Sequence, residues 1–103
     1  MIANTPKTPY YVVIFTSIRS NIEEDYASTA QKMTDLAKKQ KGFLGVESAK
    51  EEIGITVSYW ESLEAIKNWK MNVVHTEARN KGRSTWYKNF KVRIAKVTRD
   101  YEF

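Results

Sequence analysis

Apolar residues recur along this chain at two alternating periods. Tyr10–Arg19 (YYVVIFTSIR) is dense in β-branched and aromatic residues, which suit a pleated surface, and predicts a strand. Its two faces, Tyr11, Val13, Phe15 and Tyr10, Val12, Ile14, are both apolar, so the strand needs cover on both sides. Helical spacing follows: Ile22, Tyr26, Ala30, Met33 and Leu36–Ala37 fall on one stripe. Ser20 or Asn21 can cap that helix, and Glu23, Glu24 and Asp25 suit the positive end of its dipole. Lysines at 38, 39 and 41 suit the other end, and Gly42 stops it. Phe43–Lys50 (FLGVESAK) and Ile55–Trp60 (ITVSYW) read as strands joined by a hairpin-length connection over Glu51–Gly54. Ile55, Val57 and Tyr59 lie on one face of the latter strand, and Thr56, Ser58 and Trp60 on the other. Glu61–Ser62 opens a second helix with Leu63, Ile66, Trp69 and Val73 on one stripe. Its continuation from His75 to Lys81 is weaker, and Gly82 ends it. Trp86–Arg99 supplies the last strand, with Phe90, Val92 and Ile94 alternating against Lys91 and Arg93.

The order βαββαβ predicts an α+β, ferredoxin-like fold: a four-stranded antiparallel sheet with two helices on one face. Residues 1–9 read as an arm, because Pro6 and Pro9 suit neither a ladder nor a helix interior. Residues 10–103 form one domain. Two helices cover one sheet face, and the doubly apolar first strand demands cover for the second. A second copy joined across a two-fold axis meets that demand most simply, so a homodimer is expected.

Composition narrows the function. At 103 residues, 42% hydrophobic and 13% aromatic, the chain suits one folded domain and excludes a disordered or low-complexity segment. The absence of cysteine excludes a disulfide framework, thiol catalysis and cysteine-ligated zinc or iron–sulfur centres. No apolar run approaches the ~20 residues of a membrane span, and residues 1–9 lack the apolar core of a signal peptide. A soluble, cytoplasmic protein without a membrane partner is expected. The net charge of +5 is uneven: from Arg79 to Arg99 stand eight basic residues and no acidic one. That run suits a solvated strand face or an anionic partner. Lys41–Val46 (KGFLGV) matches the start of an RNA-binding signature, but Gly45 and Ser48 replace the later stacking aromatics. The segment also falls on the second strand rather than the third, so no nucleic acid is expected.

His75 is the single histidine, which excludes a multi-histidine metal site; with no glycine-rich phosphate loop, no metal and no cofactor are expected. In a continuous helix Asn68, Asn72 and His75 lie within ~60° of one another, at ~100° per residue. The apolar stripe lies roughly 120° away unless the helix breaks near Asn72–Val74. His75 therefore has two readings: a surface or capping residue, and a base, since imidazole alone titrates near neutrality when unperturbed. Trp69 is either core or a flat wall for an aromatic ligand. Trp86 and Tyr87, where a loop enters the last strand, suit dimer contact or ligand contact equally.

GFLGVES, ITVSYWESLEAIKNWK, His75 and GRSTWYKNFKVRIAKV together resemble the antibiotic biosynthesis monooxygenase family. The resemblance runs from Tyr10 to about Thr98. It implies a dimeric α+β barrel and oxygenation of an electron-rich phenol, quinol or anthrone by dioxygen without metal or flavin. It also brings haem-degrading relatives into view. Some quinone-forming members carry Asn four residues before the helix tryptophan and Tyr six after it; here those positions hold Ala65 and His75. Haem-degrading members use an Asn on the first strand and a His ten residues past the tryptophan. Here the strand has no Asn and the later position is Arg79. Within this resemblance His75 and Asn72 are the catalytic candidates, and Trp69, Tyr59, Trp60 and Trp86 the substrate-binding ones. The alternative is a non-catalytic dimeric barrel that binds a small hydrophobic molecule.

Overall fold

The computed structural model describes residues 2–20, 26–80 and 87–103, with the side chains at 26, 29 and 74–80 outside that description. The chain forms β1 (Tyr10–Arg19), α1 (Tyr26–Lys38), β2 (Phe43–Lys50), β3 (Gly54–Trp60), α2 (Leu63–Asn80) and β4 (Tyr87–Val97). The strands make one sheet in the order β2-β3-β1-β4, antiparallel throughout. This is the ferredoxin-like α+β architecture, with the most apolar strand, β1, in an interior position. The last strand is shorter than its composition suggests, ending at Val97 rather than Arg99. Residues 21–25, which hold Asn21 and the expected acidic first turn, and residues 81–86, which hold Gly82 and Trp86, lie outside the described residues.

Residues paired across a ladder share a face. The pairs Tyr11↔Trp60 and Val13↔Ser58 therefore set the helix-covered side, and Val12↔Tyr59 and Ile14↔Val57 the other. The core lies between sheet and helices: Val13, Trp60, Ala37, Ala65 and Ile66 are buried, with Tyr11, Phe43 and Trp69 packed on them. Trp60 is wholly buried. The expected stripe on α2 needs one correction. Leu63 is 55% exposed, while Ala65 is buried. Leu63 is the first residue of the helix, and it is the small Ala65 that lets the opening turn settle on Gly42. On β4, Phe90, Val92 and Ile94 pair with Ser17, Phe15 and Val13, so they share the helix side. They nonetheless stay roughly half exposed, because β4 is an edge strand and the main helix contacts are α1 with β2 and α2 with β3.

Local chemistry sets the helix ends. The α1 C-terminus tightens as Lys39 and Gln40 amides donate to the Leu36 and Ala37 carbonyls at 3.2 and 3.0 Å. The chain then turns at Gly42 with φ +90°, a conformation that favours glycine. The Gly42 carbonyl accepts the Glu61 amide at 2.7 Å, and a Cβ built on Gly42 would stand 2.7 Å from the Ala65 Cβ. Ser62 caps α2: its Oγ accepts the Ala65 amide at 3.1 Å. From there α2 runs unbroken from Leu63 to Asn80, past Asn72–Val74.

The helix-free side of the sheet is not bare. Tyr10 and Val12, on that side, are 4% and 7% exposed. The N-terminal arm lies there: the Ala3 amide donates to Glu47 Oε2 at 2.7 Å, and Thr5 Oγ1 donates to the Tyr10 hydroxyl at 3.1 Å. Tyr10 in turn donates to Asp100 Oδ2, just beyond β4. One chain thus covers part of both faces of β1.

Candidate functional site

The residues that the structure brings together are Trp60 and Trp69. Trp60 ends β3 on the helix side, and Trp69 comes down on it from the second turn of α2. Their ring centroids are 5.1 Å apart, tilted by 34°, and Phe43 meets Trp60 edge-on at 5.5 Å. The three rings make an aromatic wall between β2, β3 and α2. Its two indoles differ in one respect. Trp60 Nε1 donates to Ser58 Oγ at 2.9 Å, two residues back on the same strand face. Trp69 Nε1 is buried and has no hydrogen-bond partner among the described residues. An unsatisfied buried N–H costs about 1–3 kcal/mol.

Asn72 lies one turn further along α2 and is exposed. Its amide donates to Gln40 Oε1 at 3.2 Å and to the Asn68 carbonyl at 3.1 Å, tying α2 to the end of α1. His75 belongs to the same unbroken helix. Its position along the helix is ~60° from that of Asn72 and ~120° from that of Trp69, and its side chain lies outside the described residues, as does the whole of Trp86. Ala65, where quinone-forming relatives place an amide, is buried against Gly42 and has no donor to offer.

Tyr59 is on the opposite side of the sheet from Trp60. Its hydroxyl donates to Glu47 Oε1 at 2.5 Å, and its ring meets Tyr10 edge-on at 5.9 Å. Burial, then the bond to Glu47, pushes the Tyr59 hydroxyl up to about 12. The Tyr10 hydroxyl is raised in the same direction, chiefly by Asp100, and Glu47 is lowered, first by Tyr59 and then by the Ala3 amide. Glu47, Tyr10 and Asp100 went unnoticed as a group in the sequence, although the parity of β2 and β3 puts Glu47 and Tyr59 on one face. A second ring cluster, Phe15, Tyr87 and Phe90, with centroids 5.4–6.1 Å apart, stands on the helix side where β1 ends and β4 begins. The alternation in the sequence set Phe90 apart from Lys91 but did not bring it together with Phe15 and Tyr87. Among the described residues no group of three or more His, Cys, Asp or Glu is placed to hold a metal ion, and no helix is long and apolar enough to cross a membrane.

Known structures share this frame. SnoaB, a cofactor-independent oxygenase from Streptomyces nogalater, matches with a TM-score of 0.67 at 10% identity, over 90% of this chain and 95% of that one. A mutant of MhuD with two manganese protoporphyrin IX molecules bound per active site matches with a TM-score of 0.64 at 18% identity, over 90% of this chain and 99% of that one. At those identities the likeness is one of fold. In sequence, the uncharacterized protein YqjZ of Bacillus subtilis is 49% identical over 104 residues, spanning 99% of this chain and 91% of the relative. The profile of the family described as antibiotic biosynthesis monooxygenase matches residues 9–81. With the ferredoxin-like sheet and the tryptophan-bearing second helix in place, the chain belongs to the antibiotic biosynthesis monooxygenase family.

Proposed function

We propose that this protein is a monooxygenase that oxidises a small electron-rich aromatic molecule of the phenol, quinol or anthrone class with dioxygen, without a metal or flavin. The observation that carries the reading is the buried Nε1 of Trp69, without a hydrogen-bond partner among the described residues, beside the Trp60 and Phe43 rings. A flat aromatic would lie against the partly buried Phe43 and Trp69 rings, with Trp60 buried behind them, and present an oxygen to the indole N–H. His75 is assigned as the base and Asn72 as a second donor along the same helix, exchanging its bond to Gln40 for one to the substrate. In the anthrone case the ring CH₂ loses a proton to the base, and the carbanion passes one electron to dioxygen. The radical pair then joins as a peroxide anion, which takes the proton back from the base, and the hydroperoxide sheds water to leave a carbonyl: CH₂ and O₂ give C=O and H₂O. As negative charge grows on the substrate oxygen, the Trp69 N–H stabilises it, the role of an oxyanion donor. SnoaB, similar in fold, is a cofactor-independent oxygenase, which supports this choice of chemistry. Two of the three haem-degrading signature residues are replaced, which speaks against that reaction.

The working unit in this reading is a homodimer packed through the helix-free sheet faces, where Ile18 and Ile55 remain about 40% exposed. Such an interface buries well over ~1,200 Å² in total. The test is oxygen uptake with a panel of hydroxyanthrones and quinols, with and without chelator. Turnover that survives the chelator and collapses in His75→Ala supports the oxygenase. Tight binding without turnover makes the protein a ligand-binding module instead.

A further inference from the structure

We infer that the N-terminal arm is a releasable strap over the helix-free sheet face, latched on Glu47, and that it competes with a second copy of the chain for that face. The inference rests on the homodimer reading above and adds to it a means of control. Three contacts hold the strap, and each depends on a residue outside it. The Ala3 amide donates to Glu47 Oε2, whose other oxygen accepts the Tyr59 hydroxyl. Thr5 donates to the Tyr10 hydroxyl, which donates to Asp100. Gly45 supplies the third contact by having no side chain: a Cβ there would stand 3.0 Å from the Ala3 Cβ. A side chain at 45 would push the arm outward there by a few tenths of an ångström or more.

The strap occupies the ground a partner would need. Gly45, Glu47, Tyr59 and Tyr10 all lie on the helix-free side, and with the arm in place Tyr10 and Val12 are already buried. Two sheets packed face to face stand only ~10 Å apart, a gap filled by the two layers of side chains. That gap has no room for a length of backbone. The arm must therefore leave its bed before the faces meet over these strands. The part of the face it leaves uncovered carries Ile18 and Ile55, the residues a second copy would touch first.

The experiment uses the full-length chain with two substitutions that loosen the strap from different directions. Gly45→Val crowds Ala3 and favours the strand, and Glu47→Gln removes the charge that holds the Ala3 amide. Tryptophan fluorescence from Trp60 and Trp69 reports that the core on the other face is intact. Hydrogen exchange at the Ala3 amide reads the latch, and sedimentation over a concentration series reads self-association. The strap predicts exchange faster by about tenfold, the size expected for a weakened bond to a charged acceptor, and tighter self-association in both variants. If wild type associates and both variants release the arm while associating no better, or less well, the competition is wrong and the dimer reading stands. If neither wild type nor variants associate, the homodimer reading fails and this inference fails with it.

Discussion

Trp69 rests on Trp60 with 5.1 Å between ring centroids, and among the described residues the Trp60 indole nitrogen has a partner, Ser58, while that of Trp69 has none. The asymmetry separates stability from binding. Ser58→Ala orphans the Trp60 N–H in the core and should destabilise the fold by about 1–3 kcal/mol. Trp69→Phe keeps the ring contact and removes an N–H that bonds to nothing described. It should change stability by less than about 1.5 kcal/mol while weakening an oxygen-bearing aromatic ligand by about tenfold. Urea denaturation of both variants, with ligand titration of the second, checks the contrast. Equal loss of stability in the two would show that the Trp69 nitrogen has a structural partner.

Gly42 and Ala65 depend on each other. Gly42 holds φ +90°, and its missing Cβ leaves space for Ala65, whose Cβ would stand 2.7 Å from a Cβ built there. Gly42→Ala should therefore cost about 2–4 kcal/mol, combining left-handed backbone strain with the clash. Adding Ala65→Gly relieves the clash but not the strain. The double variant should recover part of the first loss, read as a coupling in a thermal-unfolding cycle.

The cap of α2 is a single bond, Ser62 Oγ to the Ala65 amide. Ser62→Ala should lower stability by about 1 kcal/mol, and Ser62→Asp should retain most of it by offering an acceptor to the same amide. Thermal unfolding midpoints of the three proteins suffice. A fall in Ser62→Asp equal to that in Ser62→Ala would mean that the bond is not what fixes the start of the helix.

The architecture was legible because the periods differ. Two-residue alternation in ITVSYW put Tyr59 and Trp60 on opposite faces, and the ladder keeps them there. Helical spacing found Ile66, Trp69 and Val73, but it also enrolled Leu63, since a period knows nothing of where a helix stops touching the sheet. The apolar lower face of β1 was read correctly as needing cover. What the pattern could not show is that part of the cover is residues 2–9, held by single bonds from Ala3 and Thr5 to residues 44 and 5 positions away. Polar pairs such as Tyr59 with Glu47 leave no periodic trace, so this cluster came only from the folded chain.

That cluster makes the protein's stability depend on pH at both extremes, with opposite signs. Glu47 faces the Tyr59 hydroxyl on β3 and the Ala3 amide of the arm, with Tyr10 and its partner Asp100 alongside on β1 and beyond β4. Its carboxyl is lowered in the fold, so its contribution is present above about 4.3, the ordinary glutamate value, and fades as pH falls through the lowered one. Tyr59 behaves in the opposite sense. Its hydroxyl is pushed up to about 12, first by burial and then by Glu47. Below pH ~10, the ordinary tyrosine value, folded and unfolded chains both keep the proton. Between there and about 12 the unfolded chain sheds a proton that the folded one retains, so stability falls as pH rises through that window. Tyr10, raised by its bond to Asp100, adds to the same fall. Tyr59→Phe should flatten the alkaline loss, because the variant has no proton to give up in either state. Glu47→Gln should lessen it without abolishing it, since burial, the largest single cause, remains, while removing the Glu47 part of the acid loss. Denaturation midpoints of wild type and both variants across acid and alkaline pH, paired with ultraviolet titration of the tyrosines, decide the matter. An alkaline slope in Tyr59→Phe as steep as wild type would assign the buried phenol to another tyrosine.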